Sequence, residues 1–313
     1  MLCALAILVS SCDSKNSEES IKSVLISEEG ILVKESYFNG ASSDDLHNVQ
    51  SIAKSMITIL IGAAIEDGYI RDVSVPIIEF MPEEFQGVDE SKHSITIAHL
   101  INHTSGLEWE GYKEHEAWIQ SENPIAYLLQ KNIVEKPGSL YNYNSAGTHL
   151  LSVILTRSTG RSTFDYAQDK LFKPLGISEF KWDKRNDGYY DGAGFGLSMR
   201  SDDLTRVGEL ILNKGIVQDS QIIAKSWVEH MLHSPDKKKT KWGIGNSVHG
   251  YGWYSAKIDG TEIHYSMGYG GQFIFLLPAE EKVIVVNHNH DTADGLSQQI
   301  DFITGTLPSL ISN

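Results

Sequence analysis

The sequence predicts an α+β fold in which both chain ends build an antiparallel sheet, helices flank it, and a large, mainly helical insertion separates the two halves. Three observations carry this. Short runs rich in Val, Ile, Leu and Tyr lie near both ends, separated by tight turns. A stretch opening at Ser51 is apolar on nearly every helical face, the pattern of a buried helix. From there to about residue 244 the apolar spacing is mainly helical, with polar loops.

The elements follow in order. Residues 1–22 read as a signal and tether. Leu2 to Val9 form an apolar run too short to span a bilayer but suited to the core of a secretory signal. Leu8-Val9-Ser10-Ser11-Cys12 resembles the lipobox of bacterial lipoproteins, in which the Cys carries the lipid. The expectation is an exported protein of the bacterial cell envelope, held to the membrane only through a lipid on Cys12, with Asp13 to Ser20 as a solvated tether. The folded domain is placed at 23–313, with its sheet part at about 23–50 and 245–313 and its helical part at about 51–244. Ser23 to Ser27 and Ile31 to Phe38, joined by Glu28-Glu29-Gly30, read as a hairpin. The buried helix stops at Asp67-Gly68, where glycine accepts a left-handed cap. Further helices are expected over Ile95 to Asn102, Thr148 to Ser158, Asp202 to Asn213 and Ala224 to His233. Tyr251 to Ala256, Thr261 to Tyr265, Gln272 to Leu277 and Val283 to Asn287 read as an antiparallel meander, and Gly295 to Ile303 as a helix covering one sheet face.

Composition narrows the function. Of 313 residues, 26 are Lys or Arg and 41 are Asp or Glu, a net charge of −15. Lys237-Lys238-Lys239 is the longest basic run, so a nucleic-acid partner is not expected. The two cysteines, Cys3 and Cys12, precede the domain, which excludes a disulfide scaffold, a cysteine zinc site and a cysteine nucleophile within it.

The chemistry begins at Ser51-Ile52-Ala53-Lys54, an S-x-x-K motif. Positions i and i+3 share a helix face, so the amine can stand beside the hydroxyl. A serine needs an adjacent base to become a nucleophile, and a lysine serves as one only when neutral, a form that burial and nearby cations favour. The helix N-terminus offers free N–H groups to a developing oxyanion. The spacing alone leaves an alternative open: Ser51 as a helix cap and Lys54 in solvent. Ser178…Lys181 and Ser234…Lys237 share the spacing but lie in polar, loop-like surroundings.

Two more segments join it: Lys136-Pro137-Gly138-Ser139-Leu140-Tyr141-Asn142-Tyr143-Asn144-Ser145-Ala146-Gly147, leading into a helix, and Tyr265-Ser266-Met267-Gly268-Tyr269-Gly270-Gly271-Gln272, between strand-like runs. With these the chain resembles the serine β-lactamase and penicillin-binding-protein superfamily. It is most similar to the class C β-lactamase-related branch, which includes esterases, D-aminopeptidases and 6-aminohexanoate-dimer hydrolases. His103-Thr104-Ser105-Gly106-Leu107, Gly194-Phe195-Gly196-Leu197-Ser198-Met199 and Asp203-Leu204 also fall in the family order, and the resemblance covers about residues 23 to 300.

The resemblance implies that Ser51 is the nucleophile, Lys54 its basic partner and Tyr143 the family's catalytic tyrosine. It implies an oxyanion hole made by the backbone N–H groups of Ser51 and Tyr269, and substrate contacts from Ser145, Ser266 and Gly268. It implies no metal and no organic cofactor. Two departures bear on substrate. The family's Y-x-N is here Tyr143-Asn144-Ser145, and its K-T-G is here Ser266-Met267-Gly268. Without the third-motif lysine, a substrate carboxylate loses its usual partner. The expectation is a serine hydrolase cleaving an ester or amide of a small-molecule or short-peptide acyl substrate, without efficient β-lactam turnover. The competing expectation is a catalytically silent binder or sensor of cell-wall peptides.

Other candidates carry less. No G-x-S-x-G elbow occurs. His288-Asn289-His290-Asp291 has the wrong spacing for a metallohydrolase motif, and H-E-x-x-H is absent. Gly192 to Gly196 lacks the strand–helix frame of a dinucleotide site and reads as a flexible loop near the cleft. Trp182 and Trp253 are candidate pocket walls, with core packing the alternative.

Overall fold

A computed structural model of the protein describes residues 20–312, apart from 242, 259, 292 and 293. Cys12 and the lipid attachment expected there lie outside the described residues.

The strands, in chain order, are β1 (Ile21–Glu28), β2 (Ile31–Tyr37), β3 (His47–Asn48), β4 (Lys181–Trp182), β5 (Leu197–Met199), β6 (Ile216–Val217), β7 (Ser220–Gln221), β8 (Lys238–Lys239), β9 (Val248–Gly250), β10 (Trp253–Ile258), β11 (Thr261–Gly268), β12 (Gln272–Leu277) and β13 (Lys282–His288). An eight-stranded antiparallel sheet runs β2-β1-β13-β12-β11-β10-β9-β8. The N-terminal hairpin therefore docks on the last strand, with Val24 opposite Val286 and Ile26 opposite Ile284. The five helices that matter most for the site are α1 (Ile52–Glu66), α2 (Ser145–Thr159), α3 (Ser201–Leu212), α4 (Lys225–His233) and α5 (Gly295–Asp301).

Alternation along the central strands sorts side chains onto two faces. Ile274, Leu276, Val283 and Val285 join the larger core with α1, α2 and α3. Phe273, Phe275, Ile284 and Val286 join a second core closed by Phe302, Leu307 and Leu310. The C-terminal helices thus cover one sheet face and the helical region covers the other. Both faces are buried, which explains why β12 reads as the unbroken apolar run Phe273 to Leu277 rather than as an alternation.

Helix α1 lies inside the larger core, and residues 52–64 are all buried. It ends where expected, with Gly68 at φ +80. The sheet begins earlier than the expected residue 245, because β8 and β9 add a polar edge. Lys238-Lys239 gave no strand signal, and lysines are common on edges, where they deter pairing with another chain. A second sheet, β3-β5-β4, was not legible in the sequence. Its strands are two or three residues long, too short for a periodicity to show. It holds the residues just before Ser51 against the loop that follows Asp191.

Candidate active site

Ser51 stands at the N-terminus of α1 with its hydroxyl uncommitted to capping. Lys54, one turn on, is 4% exposed, and its Nζ donates to Ser51 Oγ at 2.9 Å. The helix-cap alternative, with a solvated lysine, is therefore not what the chain adopts. The first turn of α1 carries no acidic residue, so the positive end of the helix stays uncompensated near Ser51. The Ser51 N–H has no hydrogen-bond partner among the described residues, whereas the neighbouring N–H groups of Val49, Gln50, Ile52 and Ala53 are all paired.

Two glycine-containing segments press on the chain at and just before Ser51. Gly194 backs directly onto it: a Cβ there would lie 2.8 Å from Ser51 Cα and 3.0 Å from Ser51 N. Gly268, at the end of β11, approaches Val49 and Gln50 so closely that a Cβ would lie 2.5 Å from the Val49 carbonyl oxygen. The backbone that follows, Tyr269-Gly270-Gly271, turns with Gly270 at φ +77 and Gly271 at φ +92. This brings the third motif against Val49 and Gln50, the residues just before Ser51. Gln50 itself sits at φ +52, a left-handed conformation uncommon for a residue with a side chain. Such a conformation costs about 1–3 kcal/mol and persists only where the surroundings enforce it. Asn48 does so, accepting from Gln50 N at 3.0 Å and donating to the Phe195 carbonyl at 3.0 Å.

Lys54 also donates to the Ala193 carbonyl oxygen. That loop is held by Asp191, whose carboxylate is fully buried and accepts from the N–H groups of Ala193 and Phe195. The expectation of a flexible loop over Gly192 to Gly196 is corrected here: the loop does lie at the cleft, but a buried carboxylate pins it. Among the described residues no carboxylate pairs with Lys54.

Tyr143 comes from the segment before α2. Lys54 Nζ lies over its ring, 5.1 Å from the centroid, and its hydroxyl makes no hydrogen bond among the described residues. The ring is set by His103, which stacks against it at 4.3 Å between centroids. His103 takes a positive φ of 53, and its Nδ1 accepts from the Asn144 N–H at 3.1 Å. Burial, with the Lys54 charge adding, pushes the His103 imidazole down to about 3. The same two causes hold His115 at about 4. Burial, then the charges of His103, Lys237 and Lys54, hold His249 well below the ordinary range. An imidazole so depressed is a poor proton acceptor at neutral pH. The histidines around the site are therefore placed to shape it rather than to accept protons at neutral pH.

Asn144 caps α2 through Gly147 N at 2.9 Å, which places Ser145 in the first turn. The Ser145 hydroxyl is buried without a partner, as is the Asn144 side-chain nitrogen. Ser266 behaves differently. It is 2% exposed and its hydroxyl is bonded to Ser55 at 2.6 Å, tying β11 to α1. The position that would carry a third-motif lysine is thus a strut in the core and not a donor facing substrate. Trp182 and Trp253 are core residues, 6% and 0% exposed, with Trp182 Nε1 donating to the Asp191 carbonyl at 2.7 Å. Burial takes both out of the list of pocket walls.

Beside Tyr143 lies a groove of about 420 Å³ lined by Ser139, Leu140, Tyr141, Asn142, Lys238, Lys239 and Lys241. A larger concavity, about 1220 Å³, opens elsewhere among Lys173, Arg206, Glu209 and Lys214 and includes none of these site residues. Volume does not decide between them. The uncapped hydroxyl, the buried amine bonded to it and an N–H without a partner among the described residues are all at Ser51.

Sequence reasoning did not reach Asn48, Gln50, Ser55 or Asp191. None falls in a spaced motif: Asn48 and Ser55 bond to distant segments, and Asp191 pins a loop whose place beside Ser51 only the fold reveals. The positive φ at Gln50 had no compositional signal, because glutamine is not a residue that announces one.

A sheet built from both chain ends, with a serine–lysine pair on the first buried helix and a tyrosine before the next, is the arrangement of a class of serine hydrolases. The chain belongs to the Beta-lactamase family, whose model matches residues 22–301. It is 24% identical over 304 residues to the 6-aminohexanoate-dimer hydrolase of Paenarthrobacter ureafaciens, covering 90% of this chain and 76% of that protein. Among solved structures, the octameric penicillin-binding protein homologue from Pyrococcus abyssi superposes with a TM-score of 0.74 at 21% identity, covering 94% of this chain and 75% of that one. EstCE1, described as a hydrolase with promiscuous acyltransferase activity, superposes with a TM-score of 0.73 at 16% identity, covering 93% and 96%. At those identities the structural likenesses establish a shared fold.

Proposed function

We propose that the protein hydrolyses an ester or amide bond of a small-molecule or short-peptide substrate through an acyl-enzyme on Ser51. The observation that carries this is the 2.9 Å contact between Ser51 Oγ and the buried Lys54 Nζ, with the Ser51 hydroxyl free of any capping role. In the resting arrangement the ammonium donates to Ser51 and Ala193. For attack the amine is neutral and the polarity reverses: the Ser51 O–H donates to Nζ, and Oγ adds to the substrate carbonyl carbon. The oxyanion that forms is held by the N–H groups of Ser51 and Tyr269, each worth roughly 3 kcal/mol. The C–O or C–N bond then breaks, and the departing alcohol or amine takes a proton from the Lys54–Tyr143 pair. Water, deprotonated by the same pair, adds to the acyl carbon; the acyl–Oγ bond then breaks, Ser51 Oγ takes the proton back from the pair, and the acid is released. Lys54 and Tyr143 act as one coupled proton store.

The third-motif position supports poor β-lactam recognition, since Ser266 is engaged with Ser55 and offers no cation. A negative charge on the substrate has another partner within reach: Lys238, Lys239 and Lys241 in the groove beside Tyr143. In a chain of net charge −15, three lysines on one wall favour an anionic substrate end. Two of the proteins named above are described as hydrolases, one of 6-aminohexanoate dimer and one with promiscuous acyltransferase activity, which supports this class.

The test uses p-nitrophenyl esters and a fluorophosphonate. Wild-type protein should gain one adduct, mapping to Ser51, and should turn over p-nitrophenyl acetate repeatedly. Ser51→Ala should lose both with its melting temperature nearly unchanged. An adduct without turnover of any ester or amide would favour the silent peptide binder, and full activity in Ser51→Ala would move the nucleophile elsewhere. Export and lipidation at Cys12 belong to the same proposal, and a membrane-fraction protein that stays membrane-bound after Cys12→Ser would refute that part.

A further inference from the structure

On the opposite side of β10 and β11 from the second core, three side chains converge that the hydrolase chemistry does not use. His233 ends α4, while Glu262 and His264 stand two residues apart on β11 and so share a sheet face. Their ligand atoms all lie within 4.8 Å of one another. His264 is fully buried, and its Nδ1 is bonded to Ser255 Oγ at 2.8 Å. Its other nitrogen, Nε2, is buried with no partner among the described residues. A buried ring nitrogen left unpaired is destabilising unless something supplies a bond. His233 meets this ring edge-on, 4.9 Å between centroids, and is half-exposed.

We infer that His233, Glu262 and His264 form a binding site for a divalent transition-metal ion of the zinc type. Two imidazoles and one carboxylate are the donor set such ions prefer, whereas Mg²⁺ and Ca²⁺ take oxygen ligands. Tetrahedral coordination at ordinary bond lengths separates ligand atoms by about 3.4 Å, so the two exposed side chains need draw in only by roughly 1 Å. Glu229, one turn back on α4 with an oxygen 3.8 Å from His233 Nε2, stands where it can supply a fourth bond or orient that ring.

The outer shell is already in place. With Nε2 on the metal, His264 keeps its proton on Nδ1 and donates it to Ser255 Oγ. The Ser255 hydroxyl then donates to the Leu232 carbonyl at 3.3 Å. The nearby cation is Lys237, on the Ser255 side of the ring, where its amine donates to Ser255 Oγ at 2.7 Å and to the Trp253 carbonyl at 3.1 Å. Burial pushes that amine down to about 7, so its opposition to a bound cation fades above neutrality. Neither motif spacing nor composition shows this site, because its ligands lie on a helix end and a strand that meet only in the folded chain.

The metal would clamp α4 to β11, the strand whose far end carries Ser266 and Gly268. Tag-free full-length protein, stripped with a chelator, is titrated with ZnCl2 by calorimetry and with CoCl2 by visible absorption. The expected result is one ion per chain, a cobalt ligand-field band, and a zinc-dependent rise in melting temperature. His233→Ala and Glu262→Gln, both at exposed positions, should each weaken zinc binding at least fivefold and abolish the cobalt band, while Ser51→Ala should change neither. No saturable binding, or a loss smaller than fivefold in both variants, overturns the assignment.

Discussion

Replacing Gly194 by alanine tests whether the loop behind Ser51 sets the position of the nucleophile. Gly194 has φ +103, where a side chain is strained by about 1–3 kcal/mol. The added methyl carbon would lie 2.8 Å from Ser51 Cα and 3.0 Å from both Ser51 N and the Gln50 carbonyl oxygen. Ordinary carbon–carbon contact begins near ~3.5 Å, so the overlap is about 0.7 Å or more. Either the loop retreats, taking the Ala193 carbonyl away from Lys54, or Ser51 moves. A displacement of about 1 Å at a reacting group costs on the order of 100-fold in rate. The expected outcome is a 30- to 100-fold loss in kcat/KM toward p-nitrophenyl acetate, by that same estimate, with a stability loss of roughly 2–4 kcal/mol by urea titration. Gly68→Ala is the control. It too has a positive φ, +80, but its Cβ would meet nothing within 4 Å. It should lose about 1 kcal/mol and no activity. If Gly194→Ala retains kcat/KM within about threefold of wild type, far short of that cost, the reasoning fails.

Further predictions concern the charge, the strut and the imidazoles. Lys54→Met should lower kcat by at least ~10³ while leaving the melting temperature equal or higher, because it removes a buried cation that no carboxylate pairs with; a lower melting temperature would refute the electrostatic part. Ser266→Lys should not create nitrocefin turnover, which in wild type should stay below roughly 10⁵ M⁻¹s⁻¹, and should cost roughly 3 kcal/mol or more, since the new ammonium replaces the 2.6 Å bond to Ser55 in the core. Acid should destabilise the fold in a defined window. The imidazoles of His103 and His264 are held at about 3 and those of His115 and His288 at about 4, against 6.5 when unfolded. Below 6.5 the unfolded chain therefore binds more protons, and each buried imidazole removes up to about 1.4 kcal/mol of stability per pH unit until its folded value is reached. Urea midpoints from pH 7 to pH 4.5 should fall steeply, and less steeply in His103→Gln; a flat profile would show these rings to be protonated in the fold.

What the sequence could reveal depended on how far apart the interacting residues lie along the chain. Ser51 and Lys54 share one helix turn, so the face they share follows from helix geometry, and the buried surroundings followed from the unbroken apolar pattern of α1. The arrival of Tyr143 came from the family resemblance and not from any periodicity. The His103 that packs on its ring entered only as part of the His103 to Leu107 run that falls in the family order. Ser266 was assigned to substrate because its partner, Ser55, is visible only once β11 lies on α1. Trp182 and Trp253 were misplaced for a related reason: an aromatic residue packs equally well against a ligand or a core, and only the surrounding chain decides. The β3–β5 pairing depends on bonds between segments more than a hundred residues apart, where local patterns carry no information, and the Asp191 clamp matters to the site only because its loop meets Ser51 from as far away along the chain.

The strand order has a consequence for biosynthesis. β1 lies between β2 and β13, pairing Ser27 with Val283 across nearly the whole domain. During translation the first hairpin must wait, with Val24 and Leu25 uncovered, until the closing strand leaves the ribosome. A topology of such high contact order folds slowly and late, so chains truncated before Lys282 should populate aggregates or chaperone complexes instead of a smaller native core.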